Sequence, residues 1–282
     1  MHMNRKKYTI GTVSFEAVFP DTYEDKNPYS LFLNTDAKAD VMYHYQYVEN
    51  LPQKQGVLVD KQDFQETYKD QEDVYRYLYQ KGKHLPYACT CLKKAGETVN
   101  VYLTKEAPRI WGGLVFQTIA LEHLLARHHH IVLHASFIEV KGTAILFTAP
   151  CETGKSTQAE LWRKHRGAEI INGDRVCISC NDKPMAHGVP MSGTSGICKN
   201  RSIPLCAIVY LEQGKVNQLE KLKGIRALKA IYSGCWINIW DSTDVNCVLT
   251  TIEDVISRIP VYRLRCVPDV TAIEILEKEI MK

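Results

Sequence analysis

The chain has 282 residues, 45% of them hydrophobic, and a formal net charge of +3. That length allows one large domain or two modest ones, and the apolar content supports a real core. So small a net charge leaves no footprint of a nucleic-acid or membrane-surface partner, and no apolar run approaches the roughly 20 residues of a membrane span.

Met1-His-Met-Asn-Arg-Lys-Lys7 leads into an alternating segment rather than a continuous apolar one, so no secretory leader is expected. Residues 1–110 read as a β-rich N-terminal module of antiparallel hairpins, from their period-2 alternation. Tyr8 to Phe19 is a long strand or a bulged pair. Val41–Val48, Val57–Val59, Val74–Tyr79, Tyr87–Leu92 and Thr98–Leu103 follow as strands, with Lys94-Ala-Gly-Glu97 turning the last pair. The many tyrosines are compatible with a stacking surface, but they read more simply as sheet residues with one wet end.

Pro108 breaks the sheet pattern, and residues 111–282 are expected to form a second domain. Gly113 to His128 reads as a helix with Leu114, Thr118, Leu121 and Leu125 on one face, capped by the cationic Arg127-His-His-His130. Ile131–Val140 is a strand, Lys141-Gly142 a turn, and the next strand enters Ala149-Pro-Cys-Glu-Thr-Gly-Lys-Ser-Thr157. A helix-compatible run ends at Gly167, a natural stop.

Beyond it, Glu169–Ile171 is a short strand, Asn172-Gly-Asp-Arg175 a polar turn and Val176–Cys180 a strand. His187 to Gly196 is a Gly/Ser/Thr-rich loop, Leu205–Leu211 a buried strand, and Glu212–Lys215 a hairpin turn. Asp244 is placed to cap a helix that Pro260 ends. Val261–Cys266 is a strand, and Asp269 caps a last helix.

The ten cysteines are scattered and mostly in apolar surroundings, which fits a reducing, cytoplasmic compartment. Neither Cys89/Cys91 nor Cys177/Cys180 has a second pair at zinc-site spacing, so no metal is expected there.

The chemistry concentrates at residues 150–157. A strand, a turn bearing Gly154-Lys155-Ser156-Thr157, and a helix form the context of a phosphate-binding loop. Backbone N–H groups and a helix N-terminus would meet phosphate oxygens there. Pro150, Cys151, Glu152, Thr153, Gly154, Lys155, Ser156 and Thr157 are the expected nucleotide contacts. Lys155 would reach the terminal phosphates, and the Ser156 hydroxyl would hold Mg²⁺. Ala149 stands where the consensus loop has a glycine. Asp174, at the end of the following strand, fits the carboxylate that phosphoryl transfer needs near metal and acceptor, or is an ordinary turn aspartate.

His134-Ala-Ser136, Gly142, the 150–157 loop, Gly167-Ala168, Asp174-Arg175 and Gly188-Val-Pro-Met-Ser-Gly193 come in an order that resembles the C-terminal catalytic domain of HPr serine kinase/phosphorylase. The order is also similar to the nucleotide core of ATP-dependent phosphoenolpyruvate carboxykinase. The chain looks most like short bacterial HPr-kinase-like proteins, and the likeness spans residues 131–266. It implies an α+β fold in which the N-terminal β module precedes a P-loop, HPr-kinase-like nucleotide-binding domain. It also implies ATP and Mg²⁺ as cofactors, His134 near the γ-phosphate, and Asp174 as metal ligand and base beside Lys155.

The chain departs from the family's pattern at several places. Gly173 replaces the first carboxylate of an Asp-Asp pair, leaving Asp174 alone, with Glu152 as a possible helper. Met191 and Thr194 stand where Trp and Lys are usual, and Arg201 is a candidate substitute cation.

Two functions fit this sequence. One is ATP/Mg²⁺-dependent transfer of phosphate to a hydroxyl of a seryl peptide, a small protein or a small metabolite. The other is a nucleotide-sensing or peptide-binding module without turnover.

Overall fold

In this computed structural model, residues 4–20, 28–93, 98–107 and 111–280 are described. The molecule is mixed α/β, with two large sheets and, among the described residues, six α-helices. It divides into two compact units, residues 1–121 and 122–282.

The first unit holds β1 (Asn4–Ile10), β2 (Val13–Phe19), β3 (Val41–Tyr47), β4 (Val57–Gln62), β5 (Gln65–Asp70), β6 (Asp73–Tyr79), β7 (Pro86–Leu92), β8 (Thr98–Leu103) and α1 (Trp111–Thr118). Its eight strands run in the order β1-β2-β3-β8-β7-β6-β5-β4. The 8–19 segment is a tight hairpin, turned at Gly11, whose φ is 61°. The sheet is not purely antiparallel, because β3 pairs in parallel with both β2 and β8. Parallel neighbours need long connections. Here they are the segment between β2 and β3 and the whole β4–β7 excursion, so local alternation could not reveal them. The expected turn at 94–97 and the break at Pro108 lie outside the described residues.

One face of this sheet packs on α1. Tyr8 stacks on Phe15, and Phe116 meets both rings edge-on, at centroid distances of 5.2–5.6 Å. The hydroxyl of Tyr43 donates to the Ile119 carbonyl (2.8 Å), and that of Tyr45 bonds Thr118 Oγ1 (2.7 Å). These tyrosines thus have no wet end. The helix expected over 113–128 is broken, because Ala120 takes φ 50° and α2 (Leu121–Arg127) starts afresh.

The second unit holds β9 (His130–Val140), β10 (Thr143–Thr148), α3 (Lys155–Arg166), β11 (Glu169–Asn172), β12 (Arg175–Ser179), β13 (Met185–His187), β14 (Ser202–Gln213), β15 (Gln218–Leu222), α4 (Ile225–Tyr232), α5 (Ser242–Arg258), β16 (Val261–Cys266) and α6 (Val270–Ile280). Its strand order is β10-β9-β12-β13-β14-β16-β15, with β11 beside β9 and β10 also paired to β14. β16 lies between β14 and β15, so Glu212–Lys215 is not a hairpin turn between neighbours.

Apolar residues clothe both sheet faces. Leu133, Phe137 and Leu146 meet Ile231, Val248 and Ile252 of α4 and α5. Ile138, Ile145, Phe147 and Val209 meet Trp162, Ile273 and Leu276 of α3 and α6. Trp162 is fully buried, and its truncation to alanine would cost about 3–5 kcal/mol.

The cap of α5 is Asp241, which accepts from the N–H groups of Thr243 and Asp244. Asp244 instead sits one turn in, ion-paired to Arg127 (2.8 Å). Arg127 therefore ties α2 to α5 rather than serving as a simple helix cap. Asp269 does cap α6, accepting from Thr271 and Ala272 N–H at 3.0 and 3.3 Å.

Candidate functional site

The buried run Ala144–Phe147 carries β10 to the sheet edge, where residues 149–154 turn into α3. Gly154 has φ 112°, a conformation that disfavours any side chain, although a Cβ there would touch nothing. The N-terminus of α3 has no side-chain cap and no acidic residue in its first turn. Its first N–H groups therefore keep their hydrogen-bonding capacity, with the positive end of the helix dipole behind them. Thr153 Oγ1 closes the turn by donating to the Pro150 carbonyl (2.9 Å). Cys151, Glu152, Ser156 and Thr157 are exposed.

Lys155 is only 8% exposed. Its ammonium folds back and donates to the carbonyls of Ala149 and Pro150, both at 3.0 Å. Burial pulls its pKa below the ordinary lysine value, opposed by Cys151 and Asp174. Among the described residues no carboxylate pairs with it. A buried ammonium hydrogen-bonded to two carbonyls, with Asp174 acting on it only at longer range, is poorly compensated, and an anion would relieve it.

Asp174 sits at the same end of the sheet. Asn172, fully buried, donates to the Val189 and Met191 carbonyls (2.9 and 3.0 Å). Its Oδ1 accepts the N–H groups of Asp174 and Arg175 (2.9 and 3.0 Å). This locks the turn that presents Asp174. Opposite it, β9 brings His134 into register with Arg175, and Ala135 into register with Thr148, the last residue of β10. His134 Nε2 lies 3.4 Å from Asp174 Oδ1, and Arg175 Nε 3.4 Å from Oδ2. His134, then Arg175 and Lys155, hold the Asp174 carboxyl below the usual carboxylate range.

The 188–196 segment leans on this carboxylate. Gly193 has φ 53°, and a Cβ on it would fall 2.7 Å from Asp174 Cγ. A Cβ on Gly173 would fall 2.3 Å from Ser195 Oγ. Gly173 is thus required by close approach, not by a positive φ.

Three contributors have no local signal in the sequence. Arg175 stacks on Trp236 (4.9 Å to the ring centroid), Gly234 accepts from His134 N–H (2.8 Å), and Asn172 reaches two carbonyls far along the chain. The Asn-Gly-Asp turn was readable, but its long-range locks were not. Arg201 lies elsewhere. It pairs with Glu139 (2.6 Å) and Glu169 (2.5 Å), at the end of β10 and β14 opposite the loop. Thr194 is exposed in the short 193–195 turn.

Exposed Ser156 and partly exposed Asp174 offer hard oxygen donors of the kind Mg²⁺ prefers. The cluster of His123, Asp241 and Asp244 also has metal-ligand chemistry. Its carboxylates are already engaged by Arg127, His123, Asn238 and backbone N–H groups. That saturation makes it an ion-paired joint.

A cavity of about 860 Å³ lies in the first unit, lined by residues such as Leu51, His84, Leu85 and Tyr87. Among the described residues its His84 makes no ion pair with a carboxylate, unlike His134 with Asp174.

No family model matches the chain, and no curated protein matches it. A solved structure, the Hpr(Ser) kinase/phosphatase from Coxiella burnetii, is similar to it at 9% sequence identity and a TM-score of 0.29. The similarity spans 53% of this chain and 92% of that one, and is at most a distant relationship of fold.

Proposed function

We propose that the chain binds ATP with Mg²⁺ at the 149–157 loop and transfers the γ-phosphate to a hydroxyl. The acceptor is a serine of a peptide or small protein, or a small hydroxylated metabolite. The observation that carries this reading is the buried Lys155 ammonium, without a carboxylate partner among the described residues, beside an uncapped helix N-terminus. Both features suit phosphate oxygens.

In this reading Pro150 to Thr157 form a phosphate-binding loop, and Lys155 leaves the Ala149 and Pro150 carbonyls for phosphate. Ser156 and Asp174 would hold a magnesium ion, which when bound would neutralise developing charge. Asp174 accepts the acceptor's proton, and His134 orients its carboxylate. A base with a depressed pKa is weak, but phosphoryl transfer relies mainly on positioning and electrostatics. The ten free cysteines fit a reducing, cytoplasmic setting. No described helix is long and apolar enough to cross a membrane.

A second reading is nucleotide binding without turnover. It is favoured by Gly173, where no Cβ fits and a second carboxylate is absent. Labelled ATP, Mg²⁺ and panels of seryl peptides and hydroxylated metabolites separate the two. Transfer abolished in Asp174→Asn supports the kinase. Tight nucleotide binding with no transfer to any acceptor supports the sensing module.

A further inference from the structure

We propose that the face of the first unit's sheet away from α1 carries an aromatic cage for an alkylammonium group, in which Lys54 is an exchangeable occupant. The pairings Glu66↔Tyr77 and Tyr68↔Tyr75 set Tyr68, Tyr77, Tyr79 and Glu66 on one face of β5 and β6, opposite the face that meets α1. The Lys54 ammonium lies 5.3, 5.9 and 5.7 Å from the ring centroids of Tyr68, Tyr77 and Tyr79. Each is within the ~6 Å reach of a cation–π contact. Its fourth neighbour is Glu66 Oε2, at 2.6 Å. Tyr68 and Tyr77 stand at 90° to each other, 5.8 Å apart, as adjoining walls.

The walls do not depend on Lys54. Tyr68 and Tyr79 donate their hydroxyls to Glu66 at 3.2 and 2.8 Å. Tyr77 donates to the Pro52 and Gln53 carbonyls at 3.0 and 2.9 Å. Lys61 gives Glu66 a second cation at 3.0 Å. The cage is therefore built before its occupant is counted.

The occupant is partly exposed. Lys54 lies outside any strand, and its side chain is 41% exposed. Exposed ion pairs and cation–π contacts each shift an equilibrium by only several-fold, and holding a lysine still costs rotamer freedom. Rotating the four-carbon stem empties the cage while both Tyr77 hydrogen bonds persist. An outside ammonium then meets three ring faces and a carboxylate. It belongs either to a lysyl side chain, which also hydrogen-bonds Glu66, or to a small quaternary amine, which uses the rings alone.

Exchange is what distinguishes a binding cage from a fixed tether. The full chain, with ring-labelled tyrosine, is titrated with N-acetyl-lysine methylamide and with tetramethylammonium while NMR follows Tyr68, Tyr77 and Tyr79. N-acetyl-norleucine methylamide and tert-butanol serve as neutral controls. We expect saturable ring shifts with an ammonium and none with the controls. Lys54→Ala, which removes the internal competitor together with its stem, should bind about fivefold or more tightly than wild type. Shifts with the lysine probe alone assign a lysyl side chain, and shifts with tetramethylammonium assign a quaternary amine. If Lys54→Ala does not fold, Lys54→Ser replaces it. Absence of saturable ammonium shifts in the emptied cage, or equal shifts with the neutral controls, overturns the proposal.

Discussion

His134 Nε2 lies 3.4 Å from Asp174 Oδ1, and their backbones meet because β9 and β12 pair with His134 opposite Arg175. Asp174 is therefore positioned by sheet register as well as by its own turn. Asp174→Asn keeps the shape and removes the charge. Transfer should fall by about 10²–10⁴-fold, the usual range for general-base help, while thermal unfolding stays close to wild type. Undiminished transfer in this variant would move the base elsewhere.

The depressed pKa of Asp174, with His134 as its largest lowering cause, fixes a pH expectation. The native state holds this proton less tightly than the unfolded chain does. Its stabilising contribution is thus complete above the ordinary value of 3.8 and lost as pH falls through the lower native value. Transfer should show no acid limb from this group between about pH 5 and pH 8. An acid limb in that window that disappears in Asp174→Asn would contradict the depressed pKa.

Restoring a second carboxylate is not a simple repair. A Cβ at Gly173 meets Ser195 Oγ at 2.3 Å and Ser195 Cβ at 2.5 Å, and the same short turn carries Gly193 against Asp174. Gly173→Asp should destabilise the chain by about 1–3 kcal/mol, as overpacking does, and lower transfer rather than raise it. Gly173→Asp combined with Ser195→Gly should recover part of the stability. Thermal unfolding of the three proteins checks this, and a stable, more active Gly173→Asp would refute it.

The path from β9 through β10 and the loop to α3 was legible because its signals are local. Alternating apolar residues, Lys141-Gly142 and Gly154-Lys155 each act on their own few residues. Pairings between distant segments were not legible. Nothing near Val261 says that β16 enters between β14 and β15, and nothing near Trp236 says that its ring meets Arg175. Asp241 and Asp244 both suit a helix start, and only the placement of Arg127 decides which one caps and which one pairs. At the loop, the sequence shows the lysine but not that its ammonium is buried against two carbonyls.

Cys151 is the sole exposed cysteine among the ten, and it lies inside the loop. It should alkylate fastest, and MgATP should slow that labelling while leaving the partly buried cysteines unaffected. Mass spectrometry of labelled peptides with and without MgATP reads this directly. Equal labelling of Cys151 in both conditions would place the nucleotide away from residues 150–157.

Arg127 compensates two buried carboxylates, Asp241 and Asp244. Arg127→Ala should cost about 1–3 kcal/mol, because Asp241 and Asp244 lose a charged donor but keep those from His123, Asn238 and backbone N–H groups. Added Zn²⁺ should not stabilise the wild type through this cluster, since its ligands are engaged. It should restore part of the lost stability in the variant. Denaturant unfolding with and without Zn²⁺ tests both statements, and a Zn²⁺-stabilised wild type whose effect vanishes in Asp244→Asn would make the cluster a metal site.

In the proposed function Lys155 exchanges two backbone carbonyls for nucleotide phosphate. Calorimetric titration of MgATP into wild type and Lys155→Met tests it most directly, because methionine keeps the buried stem and removes the charge. A charge-assisted contact is worth about 1.5–3 kcal/mol, so affinity should fall at least about tenfold in a variant that still folds. Equal affinity in the two proteins, or no binding of MgATP to wild type, would contradict the account.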